Sequence, residues 1–161
     1  MAAPAHSSVT ASSDVGFVVE NSVEVAADAA TVYRLLGQPA RWWSSEHSYS
    51  GDAANLSLKP VVGGCFCEAL PNGGGVEHGR VIYAAPDKQL RLSGALGPLQ
   101  AEAVTGTLDF TVEPAATGVR IVMRYVVGGY LRMGGAKMAP VVDKVLAEQL
   151  AGLARVAEAG K

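Results

Sequence analysis

Charge and aromatic residues are both scarce in this 161-residue chain, with Asp, Glu, Lys and Arg at 17% and Phe, Trp and Tyr at 6%. Low charge combined with 49% hydrophobic residues excludes a disordered polyelectrolyte and leaves enough apolar surface for a packed core. Thirteen Lys plus Arg against fifteen Asp plus Glu give a net charge of −2, without the basic excess needed to neutralise a phosphate backbone, so nucleic acid is not an expected partner. Apolar runs are broken after a few residues by Gly, Pro or charge, whereas a bilayer crossing takes about 20, so no membrane span is expected. The N-terminus lacks the apolar stretch of a secretion signal. Its start, Ala2-Ala3-Pro4-Ala5-His6, fits an exported protein after signal removal as well as a frayed cytoplasmic terminus. Residues 1–14 read as a flexible segment and 15–161 as one domain.

Cysteine is almost absent. Cys65 and Cys67 are separated by one residue and supply neither a disulfide framework nor a four-ligand zinc site. On an extended strand their Cα atoms would lie about 6.5 to 7 Å apart, so a bridge between them would be strained, and the pair leaves the redox compartment open. Together with His47 and His78 they have donor chemistry suited to zinc or copper, but in a spacing that matches no zinc pattern; no metal is expected. There is no Gly-x-Ser-x-Gly elbow and no recognisable Cys-His-Asn arrangement. The glycine pairs punctuate turns rather than opening a helix after a strand, so no nucleotide and no other cofactor is expected.

What the chain does have is strict alternation. Phe17, Val19, Val23 and Val25 oppose Glu20, Ser22 and Glu24; Leu90 and Leu92 oppose Arg91 and Ser93; Val104, Leu108, Phe110 and Val112 oppose Thr105, Thr107, Asp109 and Thr111. Val119, Ile121, Met123, Tyr125 and Val127 oppose Arg120 and Arg124, and Leu56 and Leu58 flank Ser57. Period-two patterns of this kind are half-buried antiparallel strands. Turn signals separate them at Gly63-Gly64, Pro71 to Gly75, Pro86-Asp87 and Pro114 to Gly118. Asp28 is placed to cap a short helix through Leu36, stopped by Gly37 and Pro39. From about Ala136 to Ala159, Met138, Val141, Val142, Val145, Leu146, Leu150, Leu153 and Val156 form one broad helical stripe, with Pro140 expected in its first turn. That stripe has to be buried, and the inner face of the sheet is the apolar surface available. The expected fold is therefore α+β: a curved antiparallel sheet of six to seven strands around a long C-terminal helix, with two short helices after the first strand.

Val23-Glu24-Val25-Ala26-Ala27 leading into Val32-Tyr33-Arg34-Leu35-Leu36, then Pro39-Ala40-Arg41-Trp42-Trp43, the Gly63-Gly64 step, Gly79-Arg80-Val81 and the final helix carry a resemblance across residues 17–157. In these features the chain resembles the helix-grip (START, Bet v 1-like, SRPBCC) superfamily, and within it the polyketide cyclase/dehydrase and Hsp90-ATPase-activator-like proteins. The resemblance implies a cavity between sheet and helix that takes an apolar or amphipathic small molecule, a lipid or an aromatic metabolite; the superfamily also contains enzymes, and the function expected here is binding rather than turnover. Two alternatives accompany it: a cyclase-, dehydratase- or hydrolase-like enzyme, and a protein-interaction module. Four runs are more particular to this chain: His47 to Gly51, Cys65 to Glu68, Glu77-His78 and Gly94 to Gln100.

Candidate ligand contacts are Trp42 and Trp43 as a lid, with His47, Phe66, Glu68, His78, Tyr125, Tyr130, Met138 and Val142 around the cavity. Glu68 and His78 are also the acid/base pair if the protein is an enzyme. With Leu70 facing Val76 across the turn, Glu68 lies opposite His78 and Phe66 opposite Arg80. The alternative puts that pair in solvent and Cys65, Cys67, Val81 and Tyr83 inside.

Overall fold

The computed structural model describes residues 6–160. Strands β1 (His6–Ser13) and β2 (Gly16–Val25) lead into helix α1 (Ala29–Leu36), whose first turn is closed by Asp28 accepting the Thr31 N–H at 2.7 Å. Short 3-10 turns over Pro39–Arg41, Ser45–His47 and Ala53–Asn55 then carry the chain to the far edge of the sheet. From there β3 (Leu56–Leu58), β4 (Cys65–Ala69), β5 (Gly75–Ala85), β6 (Gln89–Ser93), β7 (Ala103–Ala115) and β8 (Gly118–Tyr130) meander back until β8 pairs with β2. The result is one antiparallel sheet in the order β1-β2-β8-β7-β6-β5-β4-β3. Helix α2 (Gly135–Ala159) closes the chain.

The sheet has eight strands rather than six or seven, and β1 is the difference. His6–Ser13 belongs to the segment expected to be flexible, yet it pairs with β2 from His6 opposite Ser22 to Ser13 opposite Gly16. Its side chains are nearly all exposed, so this edge strand is held by its backbone ladder and has no apolar alternation to betray it. Residues 1–5 lie outside the described residues.

Core positions follow the alternation closely. Val19, Leu90, Leu92, Leu108, Phe110, Ile121, Met123 and Tyr125 are buried on the inner face, and Leu146, Leu150 and Leu153 of α2 meet them. The helix runs closest to β2 and β1 and also touches α1. Two glycines allow this approach: a Cβ at Gly135 would collide with the Ser13 and Gly16 carbonyls, and one at Gly152 with the Trp42 carbonyl. Pro140 falls in the second turn of α2 rather than the first, on its exposed side. No helix among the described residues is long and apolar enough to cross a membrane.

Candidate functional site

The apolar stripe of α2 changes role along its length. Its C-terminal half is packed, but Val141, Val142 and Val145 stay partly open and, with Leu146, form one wall of a cavity of about 420 Å³. Trp43, His47 and Tyr49 make the second wall, Leu96 to Pro98 the third, and His78 reaches it from β5. Size and apolar lining are those of a small-molecule site. Three of the four runs particular to this chain contribute residues to the cavity wall, His47 to Gly51, Glu77-His78 and Gly94 to Gln100, and the fourth supplies Glu68 behind His78. Surface clefts of similar volume beside Lys59 and beside Asp28 lack a buried polar group, which makes the cavity under α2 the candidate site.

Glu68 and His78 face inward, 2% and 6% exposed, with Oε2 to Nε2 at 2.8 Å. The register that brings them together differs from the expected one. Glu68 lies opposite Val76, Cys67 opposite Glu77 and Phe66 opposite Gly79, so His78 is the extra residue of a bulge in β5. A second irregularity at Ile82 restores the pairing of Ala84 with Leu90. These two shifts resolve the parity conflict of the sequence. Val76 and His78 point in before the first, Gly79 and Val81 after it, and Tyr83 is left outside. Cys65 and Cys67 lie on the opposite side of β4 from Phe66 and Glu68, half-exposed and bridged to one another at a Cα separation of 5.4 Å. This corrects the expected separation of about 6.5 to 7 Å, at the outer limit for a bridge: the strand is shortened where it faces the bulge.

The Glu68 carboxylate also accepts the Tyr49 N–H at 3.1 Å on Oε2 and the Ser50 N–H at 2.5 Å on Oε1. Burial pushes its pKa up, but donation from Ser50, Tyr49 and His78 outweighs burial and holds the group below its ordinary 4.5. A carboxylate only accepts, so in the 2.8 Å contact His78 Nε2–H donates, and in the neutral imidazole Nδ1 is then the acceptor. Among the described residues nothing else hydrogen-bonds the ring. An imidazole so oriented can accept a proton or a hydrogen bond from a molecule in the cavity.

The loop before β3 is fixed at several points. Ser44 N–H donates to Gln149 Oε1 at 2.7 Å, His47 Nε2 meets Glu148 Oε2 at 3.0 Å, and Trp43 Nε1–H donates to the His47 carbonyl at 3.0 Å. His47 lowers the Glu148 pKa, chiefly through that hydrogen bond. The two tryptophans therefore divide. Trp43 lines the cavity and packs on Phe66 at 5.3 Å between centroids, whereas Trp42 is buried against Phe110 and donates to the Leu35 carbonyl.

The other expected contacts divide as well. Val142 and His47 line the cavity; Phe66 sits behind His78, their rings 4.9 Å apart. Met138 is buried outside the cavity lining and Tyr130 is 68% exposed beyond it. Tyr125 is in the core, where burial pushes its pKa up; its hydroxyl donates to Gly94 O at 2.8 Å and accepts Leu96 N–H at 2.9 Å, fixing the third wall from behind. Tyr49, Leu96, Pro98, Val141 and Val145 were not among the expected contacts, although Val141 and Val145 belong to the stripe. Sulfur and carboxylate atoms of Cys65, Cys67 and Glu77 lie within 4.8 Å of one another, but both sulfurs are engaged in the bridge.

Known proteins agree with this architecture. MLL2253 from Mesorhizobium loti superposes with a TM-score of 0.62 at 20% identity, covering 86% of this chain and 94% of its own. CalU16 from Micromonospora echinospora gives 0.62 at 12%, covering 94% and 83%. The di-domain ARO/CYC StfQ of the steffimycin biosynthetic pathway gives 0.58 at 17%, covering 91% of this chain and 50% of its own, so the chain spans about half of that protein. None of the functionally curated proteins matches. A family model described as polyketide cyclase / dehydrase and lipid transport matches residues 16–158, and the chain belongs to that family, with the ligand-binding helix-grip fold of the SRPBCC superfamily.

Proposed function

We propose that the protein binds an amphipathic small molecule, its apolar body against Val141, Val142, Val145, Leu146 and Trp43 and a hydroxyl or other donor on His78. The observation that carries this reading is a cavity of about 420 Å³ with apolar walls and one buried, oriented imidazole at its back. A filled core would instead have favoured the interaction module. The experiment is a titration with 1-anilinonaphthalene-8-sulfonate, followed through energy transfer from tryptophan. Saturable binding that Val145→Asp abolishes, with folding intact by circular dichroism, is the expected result; a probe signal indifferent to that change would sink the reading.

A second reading has its own observation. Glu68 orders His78 so that Nδ1 is free, the arrangement of a general base, and the structural neighbour StfQ is described as an ARO/CYC protein. On that reading His78 takes a proton from a carbon or hydroxyl acid of the bound molecule, and Glu68 stabilises the imidazolium that results. Loss of turnover with retained probe binding in His78→Gln would separate catalysis from binding.

A further inference from the structure

The bridge between Cys65 and Cys67 has a sequence separation of 2, so it closes too short a loop to constrain the unfolded chain much; its effect has to be local. Locally it sits at the back of the site. Cys65 faces Arg80 and Cys67 faces Glu77, so two residue steps on β4 oppose three on β5, and the surplus residue is His78. Holding the cysteine Cα atoms at 5.4 Å shortens β4 below extended pitch, so the surplus on β5 cannot be ironed out. The residue enclosed by the bridge is Phe66, whose ring lies 4.9 Å from the His78 ring, and the residue after it is Glu68, bonded to His78 Nε2. The Phe66 ring contact and the Glu68 hydrogen bond thus come from the bridge and the residue next to it, while the Tyr49 ring, 5.7 Å from that of His78, packs on the imidazole from the loop before β3.

We propose that the Cys65–Cys67 disulfide is a redox-addressed clamp on the cavity. Oxidised, it fixes the bulge that turns His78 onto Glu68. Reduced by a dithiol, it lets β4 lengthen and the imidazole lose its orientation, which weakens ligand binding. Cys65 is half-exposed and borders an open cleft with Gly64, Leu58 and Lys59, so a thiolate can reach its sulfur. In the first step the reductant's thiolate bonds to Sγ of Cys65, the S–S bond breaks, and Cys67 leaves as a thiolate that takes up a proton. The reductant's second thiol then displaces Cys65, which is protonated in turn. The protein gains two electrons and two protons and the dithiol departs as its own disulfide.

The consequence for ligand binding rests on the cavity reading above, and the test separates the two. Full-length protein is compared before and after dithiothreitol, with intact mass reporting the gain of two hydrogens. Nitrogen-15 correlation spectra of the imidazoles, with His78 assigned by its loss in His78→Gln, report the tautomer, and the naphthalene sulfonate probe reports affinity. The expected result is a fixed Nε2–H signature in the oxidised form that averages on reduction, with probe affinity falling at least about fivefold, the low end of coupling between sites. Cys65→Ser/Cys67→Ser should resemble the reduced form and ignore dithiothreitol. Fully reduced protein with an unchanged tautomer signature overturns the clamp even if the probe still binds, and so does air-purified protein that lacks the bridge. A signature that averages on reduction, in protein that binds the probe in neither state, supports the clamp and rejects the cavity reading instead.

Discussion

The two sides of the sheet are built on opposite terms. Across β2, β8 and β7 the ladders run without a shift over strands of up to 13 residues, every second side chain points inward, and nearly every one of those is apolar. Across β4, β5 and β6 the pairing shifts at His78 and again at Ile82. An unbroken ladder couples side-chain direction to sequence parity, so a polar residue turned inward would take its whole set along. A bulge removes that coupling. His78 enters the cavity while Val81 and Ala84 still reach the core side. The regular side thus supplies the apolar core and the irregular side holds the buried polar pair, with Glu68 buried there at a desolvation cost offset by three donors.

Mutation should separate the two sides. Ile121→Ala on the regular side and Leu150→Ala on the helix above it should each cost about 2–5 kcal/mol in urea denaturation, because both are fully buried in close-packed surroundings. Costs under about 1 kcal/mol at both would mean that the core is elsewhere. Glu68→Gln should cost less, about 1–3 kcal/mol, by leaving backbone donors of the loop poorly paired. It should also cost at least about 0.5 kcal/mol less in a His78→Gln background than in the parent, since the two side chains share one contact.

The same carboxylate gives a pH signature. Its folded pKa is depressed, so the stability it contributes is present above its ordinary 4.5 and is lost as pH falls through the folded value. Stability of the parent should therefore fall more steeply than that of Glu68→Gln below about pH 4.5, the ordinary carboxylate value. Parallel curves would show that the group does not gain its hydrogen bonds on folding.

These differences also explain what was legible in the sequence. The regular strands and the α2 stripe announce themselves because their periodicity is their energetics. β1 is silent, since an exposed edge strand of Ser, Thr and Ala has no inner face to record. The meeting of Glu68 and His78 was readable from the hairpin, but their true register is two residues tighter at the turn, and the bulge together with the diagonal reach restores the contact. The disulfide was not readable, because it depends on a shortening of β4 that no residue pattern encodes. The choice of Trp43 over Trp42 depends on how the turns after α1 are oriented, and two adjacent indoles leave it open. Tyr125 carries the parity of the core, where it lies, while its hydroxyl supports a cavity wall across the sheet.

The smallest stability effects give the sharpest test of where the cavity ends. Val141 is 56% exposed and Tyr130 68%, both near the start of α2, so either one changed to Ala should leave stability within about 0.5 kcal/mol of the parent. Their effects on binding should differ. Val141 is part of the cavity wall, and losing two methyl groups that a bound molecule would cover weakens binding by about 1 kcal/mol, roughly fivefold. Tyr130 pairs with Ala103 at the end of the β7–β8 ladder, outside that wall, so its removal should leave the probe dissociation constant unchanged. Equal losses at both positions would mean that the bound molecule extends over the outer rim of the helix, and the cavity drawn here would then be only the inner part of the site.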